Sequence, residues 1–154
     1  MDDITIARIV HVISVVLWIG GVAFVTMVVM PSVRSSHPPR EWLAAFHQIE
    51  GRFSPQARVW VLLTGGSGIY MMARGQMWPR LLLVRFWWMD AMIGLWLVFT
   101  IMLFVVEPFV SHERLARVKS PHVAFTRLEL LHRLALAVAM VTVAGAVGGS
   151  HGLF

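Results

Sequence analysis

The residues of this sequence best suited to chemistry are histidines, and their surroundings set four of the seven apart. His11 stands near the start of an uncharged apolar run. Ser14 and Trp18 follow on its helical face at i+3 and i+7, and Gly20-Gly21 comes next. A heme needs an axial nitrogen, a slot free of bulky side chains and an aromatic wall, and neutral imidazole is the commonest metal ligand. His11, Trp18 and Gly21 offer all three on one stripe; the alternative is a histidine that ties two helices together or sits among lipid headgroups. His132 lies in Glu129-x-x-His132-Arg133, ahead of the small residues Ala135, Ala139 and Ala146, and His47 belongs to the same end of the chain's topology. His151 sits between Gly148-Gly149-Ser150 and Gly152, where glycines would let the tail fold back over the His11 end. His37, His112 and His122 occupy polar links and read as solvated.

Asp90 is the one charge in a 21-residue apolar run, Phe86 to Val106. A carboxylate there wants a partner. It could orient a ligand histidine, relay a proton, bind a cation, or pair with Arg85 or Arg8. Met71, Met72, Met77, Met89, Met92 and Met140 share its end of the chain's topology; thioethers bind Cu(I), though methionine is also ordinary apolar filler. The chain has no cysteine, which removes thiol catalysis, Cys-zinc sites and Fe–S clusters.

These residues are embedded in a chain that is 58% hydrophobic and 14% charged, against about 25% charged in soluble domains. That balance predicts one all-α membrane domain over residues 1–154, an up-down bundle of four transmembrane helices with almost no soluble part. The apolar runs place the helices at about 4–30, 53–74, 84–107 and 126–149. Pro31 is a natural stop for the first, and the paired glycines Gly148-Gly149 for the last. The second run is short and spans only if Arg58 snorkels to the interface. Its Thr64-Gly-Gly-Ser-Gly68 lets another helix, or a flat cofactor, approach the backbone. Residues 39–51 read as an amphipathic segment or an extension of helix two, with Trp42, Ala45, Phe46 and Ile49 on one face.

The basic residues orient the bundle. Arg34, Arg40, Arg52, Arg58, Arg114, Arg117, Lys119, Arg127 and Arg133 fall on one side, and Arg8, Arg74, Arg80 and Arg85 on the other. The richer side is expected to be cytoplasmic, leaving both termini in the periplasm if the membrane is a bacterial inner membrane. The formal charge of +5 is thus explained by flanking Arg and Lys, not by nucleic acid. Membrane lipid is the expected surrounding, and the small-residue faces of helices two and four are compatible with a homodimer.

The span His11 to Gly21, with its Trp18, resembles the opening helix of the CopD-like membrane family and of HemJ-type protoporphyrinogen oxidases. Arg52-Phe53-Ser54 leading into Thr64-Gly65, and Thr142 to Gly152, are similar to that family's pattern as well. The resemblance implies a membrane protein that binds b-type heme or handles copper, with His11 as the heme ligand. The expectation is a heme b membrane redox protein with one or two hemes. His11, His151 and Asp90 would form an outer layer and His47 and His132 an inner one, serving a quinone, a cytochrome or a larger respiratory complex. Copper transport or delivery through an outer His/Met cluster is the alternative. A cofactor-free structural subunit and a HemJ-type oxidoreductase stand behind it.

Overall fold

The computed structural model describes residues 2–109 and 118–153, and every regular element among them is helical. Four long helices result: α1 (Asp3–Ser36), α2 (Trp42–Arg74), α3 (Val84–Phe109) and α4 (Pro121–Ser150). His112, Arg114 and Arg117 lie outside the described residues. α1, α3 and α4 are long and apolar enough to cross a membrane by length and composition.

Several helix ends differ from the sequence expectation, each for a local reason. α1 starts on Asp2, whose carboxylate accepts from the Ile4 N–H. It does not stop at Pro31, because residues Val25–Val29 widen into a π-helical turn. The proline needs no backbone donor, and the widened turn ahead of it relieves the ring's clash with the preceding carbonyl. Residues 39–51 take the second of the two expected forms, an extension of helix two and not a separate segment: the helix from Trp42 runs unbroken through Pro55 to Arg74. Its buried face is Leu43 and Phe46, so Ile49 is exposed, contrary to the expected face. α4 continues past Gly148-Gly149. It ends where Gly152, at φ +76, lets Leu153 N–H reach back to the Gly148 carbonyl and Gly152 N–H to Gly149, a Schellman closure.

Three buried layers stack along the bundle. One end holds Val25, Val29, Met30, Val33, Phe46 and Phe125. The middle holds Trp18, Ile19, Val22, Val61 and Ala139. The other end holds Met72, Trp88 and Met89. The outward faces carry exposed apolar residues such as Val16, Met27, Leu62, Val98 and Val141.

Glycines bring the helices into register with bulky rings. A Cβ on Gly21 would overlap Phe53, one on Gly65 would overlap Trp96, and Cβ atoms on Gly145 and Gly149 would overlap Trp87 and Trp88. Trp96 cannot swing aside freely, because its Nε1–H donates to the Val61 carbonyl at 2.9 Å. Gly66, by contrast, faces open space. Ala at a helical glycine normally gains about 0.5–1 kcal/mol, whereas forcing a packed contact costs about 1–3 kcal/mol. Gly65→Ala should therefore lower stability while Gly66→Ala leaves it unchanged or raises it, read by reversible unfolding in mixed micelles.

Candidate functional site

His11 is half-buried on α1, facing α2. Its Nδ1 lies 3.0 Å from the Thr64 carbonyl oxygen and 3.2 Å from Ser67 Oγ. A carbonyl only accepts, so Nδ1 carries the hydrogen, and in neutral imidazole Nε2 keeps its lone pair. Gly68 makes the approach possible, since a Cβ there would stand 3.3 Å from His11 Cε1. Ser14, on the same stripe, is buried and returns its hydroxyl to the Val10 carbonyl at 2.7 Å. Trp18 is also buried and meets Phe99 edge-on, with ring centroids 5.1 Å apart. Gly21 does not leave an open slot, because the Phe53 ring fills it.

The other expected members of the outer layer have their own partners. Asp90 accepts from the Leu82 N–H, at 3.3 and 3.2 Å to its two oxygens. Leu82 sits at φ +63, a conformation that side-chain-bearing residues rarely adopt. The carboxylate therefore anchors a strained turn, and its hydrogen bonds go neither to a histidine nor to Arg85 or Arg8. His151 is exposed at the end of α4, with Nδ1 2.9 Å from the Val147 carbonyl oxygen and 3.3 Å from Ser150 Oγ. The methionines do gather: Met72, Met77, Met89 and Met92 share the end layer with Trp88, while Met140 is exposed.

At the opposite end, Phe46 separates the inner histidines. Its ring centroid lies 5.8 Å from that of His47 and 5.8 Å from that of His132. His132 Nδ1 is 3.0 Å from the Leu128 carbonyl oxygen, again leaving Nε2 with the lone pair. His47 Nδ1 is 3.0 Å from Glu50 Oε2. A cavity of about 60 Å³ lies beside them, lined by residues of all four helices, among them Trp18, Glu50, Ser54, Phe99 and His132. That is far below the roughly 300–1,000 Å³ of ordinary small-molecule pockets. The buried Trp18 Nε1 and Thr64 Oγ1 have no hydrogen-bond partner among the described residues, and a buried group left so costs about 1–3 kcal/mol.

Sequence reasoning missed the polar ties around this end. Ser54 donates to Glu107, and Arg58, expected to snorkel outward, crosses to α3. There its Nε donates to the Leu103 carbonyl at 3.1 Å and its terminal nitrogen pairs with Glu107 at 3.5 Å. Glu129, almost fully buried, is held between Arg34 of α1 and Arg133, the latter at 2.6 Å. The signal for these ties was present only as acidic residues standing beside apolar runs; which cations they meet depends on helix rotation. Among the described residues no group of three or more His, Asp and Glu side chains converges as a metal site would. No protein-family model matches the chain, and no curated protein or solved structure matches it.

Glu129 is the member whose loss should be felt most. Glu129→Ala removes both charge-assisted hydrogen bonds and the Arg34 tie from α4 to α1 at once, and is expected to lower stability by about 1–3 kcal/mol. Arg133 is more than half exposed, so Arg133→Ala should cost under about 1 kcal/mol. Unfolding of the purified variants checks the order.

Proposed function

We propose that this chain is a four-span integral membrane protein that binds b-type heme through His11 and carries electrons within a bacterial inner membrane. The observation that carries this reading is the His11 imidazole, with Nδ1–H committed to the Thr64 carbonyl and Nε2 left to ligate. A carbonyl on the far nitrogen is how ligand histidines are oriented and made more basic. His11 Nε2 is the nitrogen that would hold the heme iron. The Gly21 notch does not fit a macrocycle, because Phe53 fills it, and the space beside His47 and His132 is too small for one. The reading therefore rests on the His11 donor and not on a preformed slot at either end. When bound, heme supplies the one-electron chemistry, and the chain supplies the ligand, its orientation and apolar surroundings. The resemblance of His11 to Gly21 to the opening helix of the CopD-like family supports the same residue. A quinone or a membrane cytochrome is the matching kind of partner.

The membrane arrangement is supported by three helices apolar enough to cross and by α2, which packs extensively against α1. With the arginine-rich links inside, the termini face the periplasm. The absence of cysteine makes this directly testable. In intact spheroplasts, Ser150→Cys should react with a membrane-impermeant maleimide and Ser120→Cys should react only after lysis. The reverse pattern would overturn the orientation.

The cofactor is tested by visible spectra of the detergent-purified protein after heme-replete expression. A b-type Soret band should be present, shift on reduction and be lost in His11→Ala, while His132→Ala retains it. A featureless spectrum would end the heme reading. The methionine layer of Met72, Met77, Met89 and Met92 favours a second reading, Cu(I) handling at the outer end. Stoichiometric copper without heme, lost when Met72 and Met89 are replaced by Leu, would establish it instead.

A further inference from the structure

Among the described residues, the two most exposed large apolar side chains are Leu82, at 91%, and Val84, at 89%. Both stand where the link from α2 enters α3. Trp78 and Leu83, on the same link, are about half exposed. Leu81 and Phe86 point the other way and pack against the layer of Met72, Trp88 and Met89. The link therefore buries one apolar set and displays another.

The display is fixed by the backbone. Leu82 sits at φ +63, where a solvated turn would carry glycine or asparagine. Its N–H is held by both carboxylate oxygens of Asp90. The Leu83 N–H donates to the Arg80 carbonyl at 3.3 Å and the Phe86 N–H to the Leu83 carbonyl at 2.7 Å, closing the turns on either side. Asp90 belongs to the first turn of the regular helix that starts at Trp87. Its bond to Leu82 thus folds the link back beside α3 instead of letting it run out beyond the helix end.

The neighbours identify what covers these side chains. The guanidinium groups of Arg80 and Arg85 lie over the Phe86 ring, at 5.2 and 6.0 Å from its centroid, and meet no carboxylate among the described residues. Tryptophan and arginine beside bare aliphatic side chains are the chemistry of the lipid headgroup boundary, where guanidinium meets phosphate and the apolar part enters the acyl chains. The exposed apolar flank continues along α3 through Leu97, Val98 and Ile101. We propose that this link is an interfacial wedge, with Leu82 and Val84 inserted among the lipids of the adjacent leaflet, Trp78, Arg80 and Arg85 at headgroup level, and Asp90 as the residue that positions it. The proposal rests on the membrane arrangement above, but not on its orientation or its cofactor.

The chain has no cysteine, so single nitroxide labels test it directly. Leu82→Cys and Val84→Cys are labelled in nanodiscs of phosphatidylethanolamine and phosphatidylglycerol, with Val98→Cys and Ser150→Cys as references. Power saturation then compares collision with oxygen, which concentrates in hydrocarbon, and with a water-soluble nickel chelate. The oxygen-to-nickel ratio at Leu82 and Val84 should be several-fold above that at Ser150, approaching that at Val98. Adding Asp90→Ala should bring the Leu82 ratio down towards the Ser150 value; an unchanged ratio overturns the role given to Asp90. Nickel access at Leu82 and Val84 with Val98 still in hydrocarbon overturns the wedge and leaves the membrane arrangement standing. Nickel access at Val98 as well overturns both. Shielding of Leu82 and Val84 from both reagents also overturns the wedge, because a protein surface then covers the link.

Discussion

Aromatic rings resting on helix glycines hold this bundle together. Phe53 of α2 covers Gly21 of α1, Trp96 of α3 covers Gly65 of α2, and Trp87 and Trp88 of α3 cover Gly145 and Gly149 of α4. Each contact joins two helices, and the three pairs run through the bundle in sequence. Close approach of this kind maximises dispersion contact where no hydrophobic drive separates protein from lipid, which is why small residues dominate helix seams in apolar surroundings. The same device admits the one side chain singled out for ligation, because His11 reaches the Thr64 carbonyl across the backbone of Gly68.

That device also explains what the sequence could and could not disclose. Long apolar runs broken by arginine and proline made an all-helical chain legible, and His11 was conspicuous among neighbours of such low polarity. A glycine pair says only that something comes close. Gly20-Gly21 read as a slot for a flat cofactor, yet Gly21 receives a ring of the protein's own. Gly148-Gly149 read as a helix stop, yet Gly149 receives Trp88 and the stop falls at Gly152. Pro31 read as a terminus because proline forbids one hydrogen bond, but a π turn five residues long absorbs that loss. Asp90 was visible as a charge out of place; its partner, a backbone N–H at positive φ, carries no side-chain signature at all.

The two ends of the bundle are fastened differently. One end is polar: Glu129 joins α4 to α1 through Arg34, and Glu107 joins α3 to α2 through Ser54 and Arg58. Arg34 also lies over Trp42, 4.6 Å from the ring, so its charge is stacked as well as paired. At the other end, Asp3 takes hydrogen bonds from Tyr70 at 2.8 Å and Arg74 at 3.0 Å, tying α1 to α2 near the surface. Between these fastenings the helices meet almost wholly through apolar packing. His11, which reaches the Thr64 carbonyl, and Trp96, which donates to the Val61 carbonyl, are places where polar groups interrupt it.

α2 is the helix whose composition fits a bilayer least. It is absent from the set apolar enough to cross alone, while α1, its main partner, is in that set. Several of its polar atoms are met by α1 and α3: the Thr64 carbonyl by His11, Arg58 by Glu107, Tyr70 and Arg74 by Asp3. In the membrane arrangement proposed above, α2 has little reason to leave the aqueous channel of the insertion machinery until α1 stands beside it. The two would partition as a preformed helical hairpin, so the order of biogenesis is written into which helix shields the other's polar groups.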